Sequence, residues 1–120
     1  MSDEFIKVAT GEINDELSGI SIILDSCQND DDVSKNSDKI EKHMHNIKGL
    51  APMMGKESIG NLAKTLDSIL KKIISGHRVD GFLEPLSLSI DQMKTAMTKP
   101  HDLGQIHKTV SDISSKFEEK

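Results

Sequence analysis

The sequence predicts an all-α fold, an antiparallel four-helix bundle with a fifth helix at the C-terminal end. Three observations lead there. Apolar residues recur at spacings of three and four in five separate stretches. The apolar content is Leu, Ile, Met and Ala, with three Phe and neither Tyr nor Trp, and strand-like alternation is missing. The polar connections between the stretches are short, which favours antiparallel neighbours. A chain of 120 residues suits one domain with one modest core, so residues 1–120 are read as a single unit.

The first helix is predicted over about residues 3–27, with Ile6, Ile13, Leu17, Ile20, Leu24 and Cys27 as its seam; Gly11 and Gly19 weaken it locally. A polar stretch, Gln28 to Ser37, reads as a solvated loop. Asp30, Asp32, Ser34, Asp38 and Glu41 fall there at the ligand spacing of a calcium loop. Lys35, however, stands where the sharp turn requires Gly, and Ser37 where an apolar anchor is usual.

The second helix covers about residues 37–54, with Ser37 or Asp38 as cap and Ile40, Met44, Ile47, Ala51 and Met54 as seam. Pro52 predicts a kink or an early end, and Gly55 breaks the chain. The third helix, about 56–75, repeats Ile59, Leu62, Leu66, Ile69 and Ile73. Ala63, Leu70 and Ile74 widen that stripe and make it the most buried helix, with Asp67 at its edge and Gly76 as its stop. Asp80 is placed to cap a fourth helix over about 81–98, whose seam is Leu83, Leu86, Ile90, Met93 and Met97; Pro85 bends or delays its start. The fifth, about 102–118, starts near Asp102, with Gln105 placed for a capping box, and carries Leu103, Ile106, Val110, Ile113 and Phe117.

Composition narrows the function. Net charge is −5 and no basic stripe stands out, which argues against a nucleic-acid partner. The single Cys27 fits a reducing compartment. The acidic start lacks a signal-peptide pattern, and no apolar run approaches the roughly 20 residues of a membrane span. The expectation is a cytoplasmic monomer.

The stretch from His45 to Gly55 carries the chemistry. His45 falls roughly 140° from the centre of its helix's apolar seam, so it faces outward. Glu41, Gly49 and Pro52 share its side. Lys48, at i+3, lies within side-chain reach. Gly49, at i+4, removes the side chain that would crowd the ring, although a mid-helix Gly costs about 1 kcal/mol relative to Ala. An exposed ring, a nearby cation and a cleared approach suit a nucleophile that another protein must reach. His43 lies on a different face, and His77, His101 and His107 read as surface residues. Most of the six Met residues read as core filler, whereas Met53 and Leu50 flank the exposed face and are candidates either for a docking surface or for packing against the fifth helix.

These residues match the pattern His-x-x-Lys-Gly-x-x-x-x-x-Gly. The sequence resembles the histidine phosphotransfer (HPt) domain, most closely that of CheA-type chemotaxis histidine kinases, whose pattern His-x-Ile-Lys-Gly-x-Ala-x-x-x-Gly it also matches. The resemblance extends through Leu62 to Ile74, Gly76 and the Leu83 to Met93 seam. It implies that His45 accepts a phosphoryl group from a histidine kinase domain and passes it to an Asp of a response-regulator receiver in a two-component phosphorelay. Lys48 then stands beside the phosphohistidine, and Gly49 opens the approach. The branch's imidazole-orienting Glu corresponds to Asp67, one methylene shorter, and a basic His one turn earlier corresponds to Lys64, which would face the partner. ATP and Mg are expected on the partner domains, since no Gly-rich phosphate cradle occurs here. The chain is read as either a stand-alone carrier or the excised first domain of a kinase, with the chemotaxis resemblance favouring the second. The competing reading is a non-catalytic helical adaptor that binds receivers without accepting phosphate.

Overall fold

A helix with one apolar stripe must press that stripe against a neighbour. The computed structural model, which describes residues 2–118, does this with α-helices alone; no strand occurs among the described residues. The elements are α1 (Asp3–Asp25), α2 (Asp30–Lys35), α3 (Ser37–Met53), α4 (Glu57–Ile74), α5 (Leu83–Thr98) and α6 (Gly104–Glu118). The most extensive pairing is α3 on α4. α1 packs on α3 and on α5, and α4 touches α5, around one core. α6 lies against α4 and α5. No helix of the described residues is long and apolar enough to cross a membrane.

The seams land where the periodicity puts them, with a few exceptions. Ile40, Met44, Ile47, Ala51 and Met54 are all buried, and α4 buries more of its length than any other helix. Ile6 and Ile74, placed on seams by their spacing, are exposed; Ala9 takes the buried position at the start of α1. Phe82, which belongs to no periodic stretch, is fully buried just before α5.

The polar stretch expected as a loop holds a helix instead. Asn29 caps α2 by accepting the Asp32 N–H at 2.9 Å. Asp30, Asp31 and Asp32 occupy the first turn, at the positive end of the helix dipole. Val33 anchors it in the core. A six-residue helix with one apolar contact leaves no periodicity to read. α1 correspondingly ends at Asp25 rather than Cys27. The cap of α5 also differs from expectation. Asp80 pairs with Arg78 at 2.9 Å. The carboxylate that receives the start of α5 is Asp30, which accepts the N–H groups of Gly81, Phe82 and Leu83 at 2.7–3.0 Å. Neither Ser37 nor Asp38 caps α3; it follows α2 directly through Asn36, with no side-chain cap bond. The α5 helix begins at Leu83, so Pro85 sits in its first turn, where a missing N–H is tolerated.

Pro52 decides how α3 ends. Helical geometry continues through it for one more residue and stops at Met53. Gly55, at φ 83°, then forms the turn: its N–H donates to Pro52 and the Lys56 N–H to Ala51, the paired bonds of a Schellman cap. The proline ring points at α4, where Gly60 receives it. A Cβ built on Gly60 would lie 2.6 Å from Pro52 Cγ. This close approach seats α3 on α4 immediately past His45. Gly60→Ala is expected to destabilise by about 1–3 kcal/mol through overpacking. The double variant Pro52→Ala/Gly60→Ala should recover most of the loss in chemical denaturation. Equal losses in single and double variants would show that the ring is not the obstacle.

Candidate functional site

The site lies on the outer face of the α3–α4 pair. The seam of α3 points inward, and His45 accordingly stands out with 57% of its side chain exposed. Its Nδ1 is the inward nitrogen, 3.8 Å from Glu41 Oε2 and 3.9 Å from Asp67 Oδ2. Both distances exceed a direct hydrogen bond. The shorter aspartate at the position where the resemblance implies Glu thus approaches the ring without bonding it. Nε2 forms no hydrogen bond or ion pair among the described residues.

Asp67 is the centre of the cluster. It is buried, with 2% of its side chain exposed, and a carboxylate there needs charged partners. Lys48 Nζ reaches Oδ2 at 2.9 Å from α3, and Lys71 Nζ reaches the same oxygen at 3.1 Å from one turn along α4. Oδ1 is buried with no hydrogen-bond partner. Burial alone would raise the Asp67 pKa, but the adjacent Glu41 carboxyl and the ammonium groups of Lys48 and Lys71 outweigh it and hold the carboxyl below its ordinary value. Glu41 moves the other way. The Asp67 carboxyl beside it raises it most and burial adds to the rise, while Lys71 and His45 oppose it.

The remaining candidates separate by exposure. A Cβ on Gly49 would meet nothing within 4 Å, so the surface beside His45 is open. Met53 is 60% exposed, whereas Leu50 is half-buried against the core. Lys64 is exposed on α4 and forms no ion pair among the described residues. The structure therefore gathers His45, Lys48 and Asp67, and Lys64 joins none of their ion pairs. It adds Lys71, to which sequence reasoning gave no role, and Glu41, which sequence reasoning placed on the side of His45 without giving it a task there. Both stand at four-residue spacing, Glu41 before His45 and Lys71 after Asp67, and that spacing is the signal that could have found them.

Glu41, His45 and Asp67 each bring a donor atom within 4.8 Å of the others, the composition of a three-ligand cation site. A cation there would meet two ammonium groups already on Asp67, so charge balance works against it. Two other histidines tie helices together. His43 Nδ1 bonds Glu16 Oε1 at 2.9 Å, and Asn46 donates to the same carboxylate, joining α3 to α1. His107 Nε2 meets Thr65 Oγ1 at 3.0 Å, joining α6 to α4.

No family model, curated protein or solved structure matches this chain.

The paired carboxyls give opposite pH signatures. Asp67, lowered on folding, adds stability that is complete above its unfolded value and is lost as pH falls through the folded one. Glu41, raised on folding, adds stability that is complete below its unfolded value and is lost as pH rises through the folded one. Carboxyl ¹³C titration by NMR should show Glu41 titrating above about 4.3 and Asp67 below about 3.9, the ordinary values for the two residue types. Two ordinary midpoints would mean that the groups do not interact.

Proposed function

We propose that the chain is an HPt-type phosphohistidine carrier in a two-component relay, of the chemotaxis branch that the His45–Gly55 pattern resembles. In this reading α1, α3, α4 and α5 are an antiparallel four-helix bundle, with α6 packed against it and α2 an added turn. The observation that carries the proposal is the exposed His45 imidazole, with Nδ1 close to two carboxylates and open space at Gly49 one turn along the helix.

The chemistry follows from that arrangement. Unperturbed imidazole has a large neutral population near pH 7, and its unprotonated nitrogen is the nucleophile. The Nε2 lone pair attacks the γ-phosphorus of ATP held by a histidine kinase domain. The P–N bond forms as the P–O bond to ADP breaks, and ADP leaves with that electron pair. In the second step a receiver Asp carboxylate oxygen attacks the same phosphorus. The P–N bond breaks and its electrons return to Nε2. Charge in a loose phosphoryl transition state lies on the equatorial oxygens. Lys48, with its ammonium at the edge of the site, is the local cation that can stabilise it. Gly49 leaves room for the incoming domain. Magnesium binding and in-line alignment fall to the partners, which bring the ATP site and the receiver aspartate. Met53 supplies an exposed apolar contact for docking, with Leu50 beneath it and Lys64 at the rim. Such a carrier works as a monomer in the cytoplasm.

Incubation with a CheA-type kinase core and Mg-ATP should label the protein with phosphate that survives alkali and is lost in acid. His45→Gln should abolish the label, and Lys48→Ala should slow transfer to a receiver by roughly 10-fold or more, as expected for removing a group that stabilises developing charge. A label that persists in His45→Gln would refute the assignment. Receiver binding with no label in the wild type would favour a non-catalytic adaptor.

A further inference from the structure

We propose that Glu41 is a positioning residue for His45: its carboxyl shares one proton with Asp67 and accepts the Nδ1–H of the imidazole, keeping the Nε2 lone pair outward. The use of that lone pair for phosphoryl transfer rests on the function proposed above. The orientation of the ring does not.

The family resemblance assigns this task to the acid on α4. The geometry divides it between two acids. Asp67 is committed elsewhere, since Oδ2 holds both Lys48 and Lys71 and lies 3.9 Å from Nδ1. Glu41 lies as near, at 3.8 Å, and springs from the helix that carries His45, one turn earlier. Its longer side chain, on the same helix, can close that gap by rotation. Catalytic contacts commonly stand long in the absence of a partner.

The proton explains an otherwise orphaned atom. Asp67 Oδ1 is buried and has no donor. The charged groups facing the pair are His45 and Lys48 from α3 and Lys71 from α4, and both ammonium groups sit on Oδ2. A proton on Glu41 gives Asp67 the donor that its second oxygen lacks. The protonated carboxyl still has an oxygen free to accept from Nδ1–H. The chain then runs from imidazole to Glu41 to Asp67, with Lys48 and Lys71 at its far end, and leaves no polar atom unpaired. One proton also removes the repulsion between two carboxylates held within 4.8 Å of each other. As a P–N bond forms at Nε2, positive charge develops on the ring and strengthens the Nδ1–H bond to Glu41.

Glu41→Gln and Glu41→Ala separate this role from a merely structural one. A carboxamide can donate to Asp67 Oδ1 and accept from Nδ1–H, so it mimics the protonated acid; alanine can do neither. Long-range ¹H–¹⁵N NMR of the ring reports which nitrogen of the neutral imidazole carries the proton. The wild type and Glu41→Gln should show His45 mainly as the Nδ1–H tautomer. Glu41→Ala should revert to the Nε2–H form that free imidazole prefers. With a kinase core and Mg-ATP, Glu41→Ala should label about 10-fold more slowly and Glu41→Gln close to the wild-type rate. Amide spectra check that each variant is folded, and alanine is a strong helix former at this position. An unchanged tautomer in Glu41→Ala overturns the proposal. Reversion in Glu41→Gln as well as Glu41→Ala overturns the shared proton. A wild type that takes no label, with the tautomer pattern as described, would instead remove the phosphocarrier reading and leave the positioning role standing.

Discussion

A carboxylate withdrawn from water between two helices must bring its own positive charge or give up its negative one. Asp67 is that group, and its bond to Lys48 is the polar link across the α3–α4 pair, the most extensive interface in the protein. Lys48 is thereby a tethered ammonium. It sits at the edge of the site, with its direction set by a partner that cannot move into solvent. Lys71 completes the neutralisation from α4 itself, and Glu41 faces the same carboxylate from the α3 side. The surroundings of the imidazole are thus defined by a buried anion before any phosphate arrives.

Such an arrangement requires that α3 be held closely on both flanks. On the α4 side the ring of Pro52 nests against Gly60. On the α1 side His43 and Asn46 share the Glu16 carboxylate. The His45 face lies between these two seatings and is left open at Gly49. Rigidity and access are therefore assigned to different faces of one helix: the seam and its flanks immobilise the backbone, while the outer strip stays clear.

Much of this was legible from residue spacing. The seams of α3, α4, α5 and α6 and the outward direction of His45 follow from helical periodicity, because long amphipathic stretches repeat their signal over several turns. The parts that escaped are short or depend on tertiary structure. The α2 helix offers one buried apolar residue, Val33, and is held by capping and charge. The burial of Phe82 and the capping of α5 by Asp30 depend on contacts across about fifty residues, which no local pattern carries. At the site, His45 and Lys48 were readable from the helix wheel, and Asp67 followed from family resemblance. Glu41 and Lys71 gained significance only when α3 and α4 were placed side by side, because each gains its role from a partner on the other helix.

The reach of Asp30 has a consequence for how the molecule breathes. An isolated helix of six residues is far below the length that sustains itself in water. Yet its first residue closes the N-terminus of α5 by accepting three amide protons. Fraying of α2 therefore exposes those amides at once, and loosening the start of α5 leaves the Asp30 carboxylate without its donors. The two segments, remote in sequence, are bound into a single opening unit for solvent exchange. That unit adjoins the start of α3, the helix that presents His45.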